Sequence, residues 1–404
     1  MEKSGLKTMV RTVSRIGAFL VLLISNGCSS GGGAGITSTS GHVQTTAGIT
    51  SITGTVSDSA TIQIQGSGFG TKATAIPAYF FRNQNNTVGQ LPVSLTSSDT
   101  TGGGFVANDN NRVQGKTNIK WHYTATSPTG TDNPAEMWGR DVFDFGGPIN
   151  EYYMTAWVYI DKTGTTCDTW QWKYMSASPS HEGYFNYPGE AAFGGMWFWK
   201  ESENRWFNTA FQEYYSPYGT NNNYQSASNH YQTSGSMPDD GWLWNQWQRM
   251  EFYEKGSDSG TGVVYMNRIG RAGAPIEYHT NWWNMGPGDM AKGWRYTGIG
   301  MAIASVSRAP EACNGEGKVV NFTLYNDDLY IDTTQARVEL CDSSTWSART
   351  HCEIQPATAW NDSQISVTLN QGSFQDSQQI YLFVINAAGD PVGESFPVKI
   401  GSRY

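Results

Sequence analysis

The sequence predicts an all-β chain of two nested domains. Three observations carry this. Period-2 alternation recurs, as in Thr61-Ile62-Gln63-Ile64-Gln65 and Ile365-Ser366-Val367-Thr368-Leu369, and long helical periodicity is scarce. Glycine is abundant, at 46 of 404 residues, and supplies turn chemistry between the runs. Tryptophan is concentrated: 14 of 16 lie between Trp121 and Trp294, which sets the middle of the chain apart from both flanks.

Composition narrows the function. Only 15% of residues are charged and 13% are aromatic, a balance unlike a coiled coil or helix bundle. The net charge of -9 repels a polyphosphate, so no nucleic-acid partner is expected.

The N-terminus reads as an export signal. Lys3, Lys7, Arg11 and Arg15 form a basic region, and Ile16–Ile24 is mostly apolar but too short to span a bilayer. Ser25-Asn26-Gly27-Cys28 resembles a bacterial lipobox. The resemblance implies a signal peptide over 1–27, lipidation at Cys28, and an exported protein on the outer membrane or cell surface. Losing 1–27 takes away one acid and four cations, which moves the net charge from -9 to -12. Residues 28–45 are a flexible Gly/Ser/Thr tether. Without Cys28 four cysteines remain, an even number for an oxidising compartment. Three pairings are open. Cys341 with Cys352 would clip a hairpin, leaving Cys167 for Cys313.

The flanks share one pattern. Residues 49–70 end in Gly66-Ser67-Gly68-Phe69-Gly70, where glycines allow positive φ and Phe69 plugs a small sandwich. Ala336–Leu340, Ala359–Ile365, Tyr381–Ile385 and Phe396-Pro397-Val398 supply further strands. Together they resemble an IPT/TIG immunoglobulin-like domain split into 46–77 and 333–404. Each piece is too short to bury a core alone.

The insert, 78–332, carries candidate strands at Tyr152–Ile160, Thr169–Met175, Gly195–Lys200, Trp206–Tyr215, Gln246–Glu254, Gly262–Asn267 and Lys318–Ile331. Trp247-Gln248-Arg249-Met250-Glu251-Phe252-Tyr253 and Phe322–Asp332, with its Asp327-Asp328 pair, resemble two strands of the concanavalin A-like lectin and glucanase family. The resemblance implies a jelly-roll β-sandwich inserted into the small immunoglobulin-like one. It also implies an extracellular polysaccharide as partner, held on a concave sheet.

Alternation places Arg249, Glu251 and Tyr253 with Trp247 on one face of their strand, opposite Gln248, Met250 and Phe252. Arg140, Gln171 and Lys173 join them as expected carbohydrate-binding residues. Arginine, amide and carboxylate groups bind sugar hydroxyls, and aromatic rings stack on their apolar faces. Arg249 with Glu251 reads equally as a cross-strand ion-pair ladder.

A second expectation is a polysaccharide lyase or glycoside hydrolase of the same fold, with His122, His279, Arg249 and Glu251 as catalytic candidates. A lyase needs a base and a group that neutralises a uronate carboxylate. The chain lacks the E-x-D-x-E pair of many retaining hydrolases. It also lacks the Q-I/V-H and Y-x-K-A-G-x-Y segments of alginate lyases. A structural or adhesive envelope protein is the third expectation. No motif fixes a cofactor or metal, although Asn108-Asp109-Asn110 and Asp327-Asp328 offer oxygen ligands of the kind calcium takes.

Overall fold

Alternating sequence becomes strand along the chain. A computed structural model describes residues 47–97, 104–126, 137–161, 163, 172–178, 194–198, 243–256, 262–271, 275, 277–282, 294–303 and 319–404. Among these the strands are β1 (Gly48–Gly54), β2 (Thr61–Ser67), β3 (Tyr79–Phe80), β4 (Thr96–Ser97), β5 (Phe105–Ala107), β6 (Asn118–Thr126) and β7 (Met137–Ile149). They continue with β8 (Glu151–Asp161), β9 (Trp172–Ser178), β10 (Gly194–Phe198), β11 (Gln248–Lys255), β12 (Gly262–Arg268), β13 (Glu277–Trp282) and β14 (Trp294–Ile303). The last are β15 (Val319–Asp332), β16 (Arg337–Cys341), β17 (Cys352–Gln355), β18 (Ala357–Trp360), β19 (Gln364–Thr368), β20 (Gln379–Ile385) and β21 (Phe396–Lys399).

These strands make two sandwiches. The smaller has a sheet β1-β2-β19-β18 and a sheet β17-β16-β20-β21. Residues at the two ends of the chain therefore share one sheet, with Ile64 opposite Ile365 and Ile62 opposite Val367. Its core is Ile52, Ile62, Ile64, Val338, Leu340, Val367, Leu382 and Val384. Phe69 closes one end at 1% exposure. A Cβ on Gly66 would sit 2.4 Å from the Phe69 ring, so only glycine fits there. The Cys341–Cys352 disulfide is formed and staples residues 342–351. Cys28, Cys167 and Cys313 lie outside the described residues.

The larger is a jelly-roll sandwich. One sheet runs β13-β12-β11-β8-β15-β6-β5, with β3 added beside β15; the other runs β10-β9-β14-β7-β4. Even-numbered residues of β8 (Tyr152, Met154, Ala156, Val158, Ile160) face the second sheet with Met250, Phe252 and Leu324. β15 changes parity midway. Leu324 faces inward before a bulge at Asp327/Tyr330, and Leu329 and Ile331 face inward after it. Asp328 takes the extra position at φ 52. The bulge thereby turns both Asp327 and Asp328 to the outer face.

Among the polar groups buried between the sheets, one carboxylate is only half paired. Asp141 on β7 is 0% exposed. One carboxylate oxygen accepts the Gly104 amide at 3.0 Å, and the other has no hydrogen-bond partner. Burial pushes its pKa well above the usual carboxylate value. Its folded-state pKa is raised, so its contribution is complete below an unfolded value of about 3.9 and shrinks as pH rises above it. Asp141→Asn is therefore expected to raise the melting temperature at pH 8, by roughly 3 °C, and to leave it unchanged at pH 3.5. Scanning calorimetry at the two pH values checks this.

Candidate functional site

The outer face of the eight-stranded sheet has two regions. Tyr153, Thr155 and Trp157 of β8, with Arg249, Glu251 and Tyr253 of β11, meet β16 and β17 of the small sandwich. Tyr159, Trp247, Tyr325, Lys120 and His122 lie beyond that contact, at the other end of the same face.

The first region corrects the expectation for Arg249 and Glu251. They are 1% and 0% exposed, so neither reaches a sugar. Arg249 donates from both terminal nitrogens to the two oxygens of Glu339, at 3.0 and 3.2 Å. It also donates to the Thr155 hydroxyl at 3.0 Å and the Cys352 carbonyl at 2.9 Å. Glu251 accepts from the Tyr153 hydroxyl, from Tyr265 at 3.2 Å, from Asn267 at 3.3 Å and from Arg337 at 3.0 Å. Arg337 also donates to Glu339 and lies 4.4 Å over the Tyr153 ring. So the motif Arg249-Met250-Glu251 crosses a second motif, Arg337-Val338-Glu339, and each arginine meets the other strand's glutamate. The pairing joins the sandwiches rather than neighbouring strands. Tyr253 is likewise 3% exposed, packed in a cluster with Phe80, Tyr153, Tyr330 and Ile354.

A second lattice stands beside the first. Arg82 and Arg112 both donate to Asp327 and Asp328, and Arg112 also reaches Glu353. Glu353 accepts the Trp157 indole N–H at 3.1 Å and contacts His351 Nε2 at 2.8 Å. The guanidinium groups hold the side of the Asp327-Asp328 pair where a cation would sit, so calcium is not held there. The group Glu339, Cys341 and Cys352 is no metal site either, because its sulfurs are in the disulfide. Asp109, the other calcium candidate, is paired with Lys120.

The charges fix a pH profile. Burial would raise Glu339, but Arg249 and Arg337 outweigh it and hold its pKa at about 2. Burial would likewise raise Glu353, and Arg112 and His351 hold it below the usual range. Asp327 goes the other way. Burial and the neighbouring Asp328 lift it to about 6, against Arg82 and Arg112. The depressed glutamates contribute stability above an unfolded value of about 4.3 and lose it as pH falls through about 2. The raised Asp327 costs stability as pH climbs from about 3.9 through 6. The urea midpoint is therefore expected to be no lower at pH 5 than at pH 7, and to drop at pH 3. A steady fall from pH 7 to pH 3 contradicts this.

The second region is partly open: His122 is exposed, Trp247, Tyr159 and Lys120 are half-buried, and Tyr325 is 7% exposed. Antiparallel register sets Tyr159 opposite Tyr325 and Tyr325 opposite Lys120, and Trp247, one residue before β11, has its ring beside Tyr159. The Trp247 and Tyr159 rings are 5.6 Å apart, and Tyr159 and Tyr325 are 6.1 Å apart. Lys120 Nζ lies 5.3 Å from the Tyr325 ring, and its partner Asp109 also accepts the Tyr325 hydroxyl at 3.3 Å. Trp247 and Tyr159 are half-buried and His122 is exposed, its Nδ1 at 2.9 Å from the Thr323 hydroxyl. The row crosses four strands, about 14 Å at a strand spacing near 4.8 Å. The rings meet tilted (54°) and edge to face (76°), and the half-buried Trp247 and Tyr159, flanked by an ammonium, a carboxylate and an imidazole, suit stacking plus hydroxyl hydrogen bonds. It suits proton abstraction less. Burial and Asp109 raise the Tyr325 pKa, and no arginine stands in the row among the described residues.

The remaining expected residues lie elsewhere. Arg140 falls opposite Gly300 and Lys173 opposite Ala302, both in the five-stranded sheet. They are thus on a different sheet from Arg249 and Glu251, and one groove does not combine them. His279 falls opposite Val264 on β13. The side chains of Arg140, Lys173 and His279 lie outside the described residues, as does Gln171. Sequence alternation put Trp247 on the outer face. Tyr159, Tyr325 and Lys120 were missed, although Tyr159 and Tyr325 fall on the outward parity of their strands.

No family model matches the chain, and no curated protein does. Several solved structures are similar in fold. An endo-β-1,4-glucuronan lyase from the fungus Trichoderma reesei aligns at a TM-score of 0.38 and 12% identity, over 64% of this chain and 96% of its own. A PL-14 alginate lyase from Aplysia kurodai aligns at 0.37 and 8% identity, over 64% and 100%. Peanut lectin aligns at 0.28 and 12% identity, over 60% and 95%. At these values no residue role is carried across.

Proposed function

We propose that this chain is an exported, lipid-anchored protein that binds an extracellular polysaccharide on the outer face of its larger sandwich. The observation that carries the proposal is the cross-strand row Trp247–Tyr159–Tyr325–Lys120. Its ring spacing follows from strand register, so the rings are held in place before a ligand arrives and little ordering is needed on binding. The export signal, Cys28 and the tether over 28–45 support a surface location. Binding alone, rather than cleavage, is favoured by the raised Tyr325 and by the diversion of Arg249 and Glu251 into the junction.

Affinity electrophoresis of the 42–404 fragment in gels containing laminarin, galactomannan or alginate tests this. Retardation in at least one gel is expected, with no rise in absorbance at 235 nm when the polymer is incubated with protein. Migration unchanged in every gel contradicts the binding reading. A sustained rise at 235 nm makes the chain a lyase.

A further inference from the structure

The aromatic row has a polar row beside it. Residues two apart on a strand share a face and lie about 7 Å from each other. Two positions along from Tyr159, Tyr325 and Lys120 stand Asp161, Thr323 and His122. Register sets Thr323 opposite Asp161 on β8 and opposite His122 on β6. His122 is exposed and Asp161 is half-buried. One Asp161 oxygen accepts the Thr163 amide at 2.8 Å. Rings thus lie along one side of this face, and a carboxylate, a hydroxyl and an imidazole along the other.

The sign of the charge on this face is the deciding feature. Among the described residues, Lys120 is the one lysine or arginine in the two rows, and it is ion-paired with Asp109. The Asp109 side chain is 51% exposed and that of Lys120 only 22%, so the carboxylate is the more open partner. Burial opposes the charge on each, but their mutual hydrogen bond outweighs it, lowering the Asp109 pKa and raising that of Lys120. The pair is therefore neutral as a whole, and Asp161 adds a formal negative charge. One carboxylate stands beside Tyr325 and Lys120, and the other lies across β15 from His122.

We propose that the polysaccharide held here is neutral rather than uronate-bearing, and that Asp109 and Asp161 set this choice. The inference rests on the binding role given above to the aromatic row. Hydroxyls of a neutral polymer donate to both carboxylates, and the rings take its apolar faces. A uronate would meet Asp109 or Asp161 as a like charge, with Lys120 already held. Such repulsion discriminates between ligands without any added contact to the preferred one.

Affinity electrophoresis of the 42–404 fragment at low salt tests it, with each mobility taken relative to the same protein in a polymer-free gel. Retardation by laminarin or galactomannan is expected, and none by alginate. The double variant Asp109→Asn/Asp161→Asn keeps acceptor oxygens at both positions and leaves Lys120 as the net charge. Its mobility in alginate is expected to fall, and the shift is expected to vanish as salt is added. Asp390→Asn/Glu394→Gln, exposed on the small sandwich, changes the net charge equally and is expected to gain no such shift. Retardation of the wild type by alginate alone, or equally by all three polymers, overturns the inference and leaves the binding role standing. No retardation in any gel overturns both. The inference also fails if the Asp109/Asp161 variant, folded by circular dichroism, is unshifted in alginate, or if the Asp390/Glu394 variant shifts as much.

Discussion

Replacing Arg249 with alanine costs about 3–5 kcal/mol and lowers the melting temperature by roughly 10 °C. The reason is geometric. Arg249 is 1% exposed, and its loss takes the two-point partner from the Glu339 carboxylate in a desolvated interface, leaving the ion pair with Arg337 and the more distant charge of Arg349. Lysine does not rescue it, because a single ammonium cannot reach both Glu339 oxygens, Thr155 and the Cys352 carbonyl. The double replacement Arg249→Met with Glu339→Met recovers part of the loss, since removing both charges removes the desolvation cost as well. Calorimetry of the wild type, Arg249→Met, Glu339→Met and the double replacement completes the cycle. The wild type is expected to melt in one transition, because the charge lattice binds the two sandwiches into one unit. Arg249→Ala is expected to separate the transition into two. A melting temperature within about 2 °C of wild type would show that the lattice contributes little.

The second large effect is on binding. Trp247→Ala is expected to weaken polysaccharide affinity by about 30-fold, the scale of a central aromatic contact worth about 2 kcal/mol. Trp247 is half-buried outside the core, so its removal leaves the melting temperature near that of wild type. Tyr159→Ala adds to the loss by less than its own single effect, because the two rings touch and share the contact. His122→Ala is expected to change affinity only slightly, since its imidazole sits past the rings and bonds Thr323. Affinity gels of the wild type, the three single variants and the Trp247→Ala/Tyr159→Ala double variant give the ranking.

Much of the strand pattern was legible in the sequence. Alternation in Gln248–Tyr253 assigns Met250 and Phe252 to the core, where they lie, and Arg249, Glu251 and Tyr253 to the other face. What covers that other face is not written in the strand itself. Period-2 patterning fixes parity, and a second domain laid over the sheet turns an outward side chain into a buried one. One signal did point to the cover. Arg337 and Glu339 repeat the R-x-E spacing of Arg249 and Glu251 inside an apolar strand, with Glu353 between Cys352 and Ile354. Charged residues at such positions need buried partners of opposite sign. The Asp327-Asp328 pair misled for a related reason. Adjacent carboxylates look like a cation site, but the β15 bulge turns both toward Arg82 and Arg112, and a bulge has no fixed sequence mark. The aromatic row was missed because its members come from four strands far apart in sequence, and only register brings them into line.

Hydrogen exchange with and without the polysaccharide that retards the protein tests the central proposal most directly. Binding on the aromatic row predicts slowed exchange in residues 157–161, 245–250 and 321–326, with 137–149 and 294–303 unchanged. Slowed exchange confined to 137–149 and 294–303, on the five-stranded sheet, would contradict it.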